Sequence, residues 1–79
     1  MKIKNNIALS DSGFLFNPSS GDSFSVNEIG KTIIKMFQEG KSDDEISKAI
    51  LKEYLIDENA FEKDFYDFKK MLESHKLTE

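Results

Sequence analysis

The stretch "DSFSVNEIGKTIIKMFQEG", residues 22–40, changes its hydrophobic period at Asn27, and that change decides the fold. Before Asn27, Phe24 and Val26 alternate with Ser23 and Ser25, the period of two that gives a strand one apolar face. After it, Ile29, Ile33, Met36 and Phe37 follow the i, i+4, i+7, i+8 spacing of a buried helical stripe. Asn27 suits the N-cap, Glu28 lies where the positive end of the helix dipole favours an acid, and Gly40 suits the residue just past the last turn. Gly30, inside the first turn, costs up to about 1 kcal/mol of helix propensity relative to alanine. Its lack of a side chain permits close packing against the preceding strand. A strand therefore abuts a capped helix with almost no linker.

Upstream, the alternation is repeated twice. Ile7 and Leu9 alternate with Ala8 and Ser10, with Ile3 on the same parity; Phe14 and Phe16 alternate with Leu15 and Asn17. "SDSG" (10–13) and "NPSSGD" (17–22) separate these runs with turn chemistry: Gly13 and Gly21 can take positive φ, and Pro18 cannot donate to a ladder. Three short strands joined by turns predict an antiparallel meander. Its third strand is an edge, and no proline, lysine or inward charge blocks it.

Downstream, "SDDE" (42–45) predicts a second helix. Ser42 and Glu45 form a capping box, and Asp43 and Asp44 add charge that the dipole favours. Ile46, Ala49, Ile50 and Tyr54 make its apolar side. Asp57 caps a third helix whose stripe, Phe61, Phe65, Phe68 and Leu72, falls within about 60° on the helical wheel. Asp64 lies on the flank of that stripe. The tail "SHKLTE" continues no pattern and is expected to fray over 73–79. The expected architecture is α+β: a three-stranded antiparallel meander followed by three α-helices, one domain over 1–79. The placement of the seven phenylalanines on strand and helix stripes assigns them to the core.

Composition narrows the chemistry. Seventy-nine residues without cysteine leave no disulfide or thiolate site, and a reducing, cytoplasmic setting is natural for such a chain. No apolar run reaches the roughly 18 residues of a membrane helix, and "MKIKNNIALSDSG" has no signal-peptide core. Residues 1–40 carry four lysines and four acids; residues 41–79 carry seven lysines and eleven acids, so the net charge of −4 sits in the second half. Arginine is absent. A nucleic-acid binder needs a basic face and uses the guanidinium fork on phosphate and guanine, so neither nucleic acid nor membrane is the expected partner. Protein or peptide is.

Nothing points to catalysis or to a cofactor. His75, the one histidine, has no orienting partner in the sequence pattern and reads as surface. The acids of "SDDE" are accounted for by capping and lack the alternate spacing and central glycine of a calcium loop. Asp57, Glu58, Asp64 and Asp67 read as a cap and a solvated face. The four glycines are too scattered for a phosphate cradle, and the serines have no base beside them. An acyl carrier is also a poor fit, since "DSG" (11–13) precedes a strand rather than opening a helix. The chain is not expected to be an enzyme, and no metal site is expected.

The order of these elements and several residues resemble the PqqD-like family of peptide chaperones in cofactor and peptide natural-product biosynthesis. The matching run is Val26, Asn27, Gly30, Ile33, Ile34, Phe37, Gly40, Lys41, Ser42, Glu45, Ile46, Ala49, Ile50, Tyr54 and Asp57, followed by Asp64, Phe65, Phe68 and Leu72. It covers about residues 7–73. The resemblance implies a winged-helix-like fold known as the precursor-peptide recognition element. It also implies that the leader segment of a ribosomally made precursor adds as a strand to the third strand, in the groove beside the third helix. The precursor is then presented to a modifying enzyme, often a radical S-adenosylmethionine protein. Carried onto this chain, the peptide-binding residues would be Ser23, Phe24, Ser25 and Val26 on the strand and Asp64, Phe65, Phe68 and Met71 on the helix.

Two other readings compete with this one. A winged-helix DNA-binding regulator fits the shape but not the acidic, arginine-free surface. An interaction subunit that docks on an enzyme through the second and third helices would bind the enzyme without binding a leader.

Overall fold

Asn27 turns the chain from strand to helix as its local chemistry dictates. In the computed structural model, which describes residues 1–79, the order is β1 (Ala8–Leu9), β2 (Phe14–Asn17), β3 (Asp22–Ser25), α1 (Glu28–Gln38), α2 (Asp43–Glu53) and α3 (Glu58–Ser74). The strands form one antiparallel sheet of order β1-β2-β3, followed by the helices, which is the α+β arrangement the sequence predicts. The third strand begins and ends one residue earlier than the alternation suggests, so Val26 lies just beyond β3.

The helix ends carry the expected chemistry. The Asn27 carboxamide oxygen accepts from the Gly30 N–H at 2.8 Å. Ser42 and Glu45 exchange the two bonds of a capping box, at 3.2 and 3.0 Å. Asp57 accepts from the Ala60 N–H at 2.9 Å. At the end of α1, Gly40 takes φ 85°. There the Gly40 N–H donates to Phe37 O and the Lys41 N–H to Met36 O, both at 3.0 Å, which satisfies two carbonyls the helix would otherwise leave open.

The tail does not fray. Past α3 the same two-bond closure recurs: the Lys76 N–H donates to Glu73 O and the Leu77 N–H to Leu72 O, both at 3.0 Å. Lys76 occupies the left-handed position, φ 58°, that Gly40 fills in α1. The reversal drives Leu77 into the core at 0% exposure beside Leu72. Thr78 then bridges Ile3, the Lys4 N–H donates to Leu77 O and the Glu79 N–H to Lys2 O, so the two chain ends hold each other. One buried leucine and a helix-closing motif replace the periodicity that the tail lacks.

The parity of β2 is the second correction. Leu9, Leu15 and Phe24 share a face by register, and Leu15 is fully buried on it. Phe14 and Phe16 point the other way and are 54% and 41% exposed, so they are surface rather than core. "FLFN" is apolar on either parity. The inward choice buries Asn17, which is tolerable because its side chain accepts from the Ser19 N–H at 3.0 Å and its carbonyl from the Gly21 N–H at 2.8 Å.

Twelve buried apolar residues form a single core. Ile33, Ile34 and Phe37 of α1 and Ile46 and Ile50 of α2 meet Phe61, Phe65 and Leu72 of α3, with Ile3, Ile7, Leu15 and Leu77 closing it from the sheet side and the chain ends. Lys69 of α3 reaches Asp43 of α2 at 2.8 Å and lies 4.5 Å above the Phe65 ring, which ties those two helices. No helix is long and apolar enough to cross a membrane.

Candidate functional site

The site is built from one strand edge and one helix flank. Val26 N–H donates to Gly13 O at 2.8 Å, and this bond sets the alternation of the β2–β3 ladder. Two residues back, Phe24 is paired with Leu15 and turns its amide and carbonyl toward β2. The amides and carbonyls of Ser23 and Ser25 therefore point away from the sheet. Gly13 keeps this junction tight, for a Cβ there would stand 2.6 Å from Val26 O and its φ is 90°.

Side chains alternate as the backbone does. Ser23 and Ser25 are exposed on the outer face of the sheet. Phe24 is half-buried on the inner face, and its ring centroid lies 4.4 Å from that of His75 at the end of α3. β3 thus meets the end of α3 at the Phe24–His75 contact. Gly30 sets the spacing at the other end, where a Cβ would lie 3.2 Å from Val26 Cβ and 3.4 Å from Phe68 Cε1. The close approach expected of Gly30 is found, and it includes α3 as well as the residue following the strand.

At that end lies a cleft of about 150 Å³. Ile29 and Ile33 of α1, Ile56 of the connection before α3, and Phe61 and Phe68 of α3 make it mainly apolar. Asn27 and Asp64 supply polar groups to its lining. A larger cleft of about 490 Å³ lies between Met1–Asn5 and the end of α1 and adjoins neither β3 nor α3. No group of three or more acids or histidines converges as a metal ion would require.

The residues expected to bind peptide divide into four sets. Ser23 and Ser25 offer open backbone; Phe24, Val26, Phe68 and Met71 are half-buried along the strand and the helix flank; Asp64 is exposed at the cleft. Phe65 is 3% exposed and stacks on Phe61 and Phe37, with centroids 5.4 and 6.0 Å apart, so it supports the cleft from within the core. Sequence reasoning left out Ile29, Ile56 and His75. His75 had a signal: Asp64, Phe68, Met71 and His75 continue one helical stripe at intervals of 4, 3 and 4. Ile56 had none, since it belongs to no periodic run.

The displaced titration of Glu45 is remote from this site. The Ser42 backbone N–H bonded to Glu45, and then the Ser42 hydroxyl, hold the Glu45 carboxyl below the usual glutamate value.

A search of curated proteins finds no match. Among solved structures, "TbiB1 in Complex with the TbiA(beta) Leader Peptide" superposes with a TM-score of 0.87 at 33% identity, over 100% of this chain and 95% of that one. The family model described as coenzyme PQQ synthesis protein D (PqqD) matches residues 13–77. That range holds β2, β3, all three helices and both walls of the cleft, and on it the chain belongs to the PqqD family.

Proposed function

We propose that this chain is a non-catalytic peptide chaperone. It takes the leader segment of a ribosomally made precursor as a fourth strand on β3, against α3, and presents the precursor to a modifying enzyme. The observation that carries the proposal is the open backbone of Ser23 and Ser25 on a strand that leads, through Val26 and Asn27, to an apolar cleft, in a fold that superposes on TbiB1, a protein solved with a leader peptide.

The physics assigns a role to each part. Ser23 and Ser25 each present one donor and one acceptor, and each bond formed there is worth roughly 0.5–1.5 kcal/mol net. Backbone bonds of this kind hold any extended peptide, so they supply affinity without choosing a sequence. Selection falls to the inner face, where Phe24, Phe68 and Met71 lie along the groove. The cleft at Ile29, Ile56 and Phe61 has room for an apolar side chain, whose burial contributes roughly 1.5–3 kcal/mol. Asp64 offers a carboxylate to a donor on the peptide. The family resemblance makes a radical S-adenosylmethionine protein the first modifying enzyme to test as the acceptor of the loaded chaperone.

The test is a titration of the isotope-labelled chain with the leader peptide of a precursor encoded beside it. Amide resonances of Ser23–Val26 and of the α3 flank around Asp64 should shift and saturate together. Saturating binding that leaves Ser23–Val26 unmoved would remove the strand-addition reading.

A further inference from the structure

On the outer face of the sheet, β2 carries two phenylalanines with no aromatic partner. By register Phe16 stands between Ala8 of β1 and Ser23 of β3, and Phe14 stands opposite Ser25. These cross-strand neighbours are all small. Aromatic residues on a sheet gain stability from large cross-strand partners, and here none is provided. The rings remain 54% and 41% exposed on the central strand, at spacing i, i+2.

The two sides of this shelf differ. On the β1 side the sheet ends after a two-residue strand beside which the chain folds back on itself: Ile7 N–H donates to Lys4 O at 3.2 Å, and Gln38 Nε2 to Ile7 O at 3.5 Å. On the β3 side the edge is open, and a strand added there continues the outer face as well as the inner one. The residues of that strand facing Ser23 and Ser25 project their side chains to the outer face. They lie two strand spacings from β2, about 10 Å. Across a large residue that distance would keep them from Phe14 and Phe16. Across a serine, two rings leaning toward each other reach the 4.5–7 Å centroid separation that aromatic pairs favour.

We propose that Phe14 and Phe16 form a second specificity surface for the bound peptide, reading its outward-facing side chains across Ser23 and Ser25. The occupant is a pair of aromatic or long apolar residues spaced i, i+2 in the added strand. This rests on strand addition at β3 and extends it from the inner groove to the outer face. The inner cleft and the outer shelf then read alternate residues of one extended segment, so the peptide is recognised on both sides.

The test selects a displayed library of random linear peptides on the full chain, and maps each selected peptide by amide shifts. Peptides that shift Ser23–Ser25 should be enriched in aromatic or long apolar residues at the two positions facing those serines. The double change Phe14→Ser with Phe16→Ser should weaken them about tenfold while the amide spectrum stays that of the folded chain, because neither ring belongs to the buried core. Peptides that add at β3 with no preference at the outward positions, or that bind the Phe14→Ser/Phe16→Ser chain equally well, overturn the inference and leave strand addition standing. Selection of peptides that never shift Ser23–Ser25 overturns both. Concentration-dependent self-association abolished by the double change would assign the face to a second copy of the chain and likewise overturn it.

Discussion

The two edges of this sheet have opposite fates. The β1 edge is two residues long, and the chain closes around it through Lys4, Gln38 and the Ile3–Thr78 bridge. The β3 edge is four residues long, and the amides and carbonyls of Ser23 and Ser25 have no partner within the ladder. Neither edge uses proline, lysine or a bulge to repel another strand. The difference lies in where the chain spends its own polar groups: it closes one side with its ends and leaves the other open beside a helix groove. An open edge kept next to an apolar cleft is consistent with the strand addition proposed above, because an unused edge invites aggregation.

The largest effect is expected from breaking the closed side. Leu77→Ala should cost about 3 kcal/mol in a urea melt, since it empties a fully buried site and unseats the Ile3–Thr78 bridge. The loss should appear in stability, with peptide affinity of the folded fraction kept. Ser25→Pro is the converse change on the open side. Its N–H lies off the ladder, so the helices and the thermal transition should persist while leader affinity, read by calorimetry, falls at least a hundredfold, about 2.7 kcal/mol. A comparable loss of stability in Ser25→Pro would mean that this amide is engaged within the fold and that the edge is not free.

Lys76→Gly sharpens the closed side. Lys76 holds a left-handed conformation that costs a side-chain-bearing residue about 1–2 kcal/mol, so glycine should raise stability by about 1 kcal/mol after its own entropy cost. A chemical melt that shows no gain would place the strain elsewhere. The smallest effect should come from a change that touches neither edge. The Glu45 carboxyl is held below its ordinary value by the Ser42 N–H, so its contribution is full above the usual glutamate range, near pH 4.3 unfolded, and is lost as pH falls through the lower folded value. Glu45→Gln should flatten the acid side of the pH–stability curve slightly, by an amount that exposure to solvent keeps small. An unchanged curve would show that the bond to Ser42 does not discriminate the two protonation states.

What the residues disclose in advance follows from how local the cause is. Asn27, Ser42 with Glu45, Asp57 and Gly40 act within one helical turn, and each is legible because its chemistry is complete in the sequence. The parity of "FLFN" is not local. Leu15 and the phenylalanines are equally apolar, and the decision rests on the register with Phe24 and on a turn able to satisfy buried Asn17. The tail is harder still, because lysine does not advertise a left-handed residue and a lone leucine has no period. At the site, the open edge is readable from strand order, and the helix stripe from Asp64 to Met71 is readable from spacing. The contribution of Ile56 and the contact of Phe24 with His75 need the third dimension.

The bridge between Ile3 and Thr78 joins residues separated by nearly the whole chain. In kinetic terms it closes a loop of nearly the whole chain, so its entropy cost is among the highest of any contact in the fold. Such a contact is expected to form after the folding barrier, with φ-values near zero at Ile3 and Thr78, and to be the first to open in the native state. The amides of Lys4 and Glu79 should then exchange with solvent in step, well before those of α1, because one opening event frees both ends of the molecule.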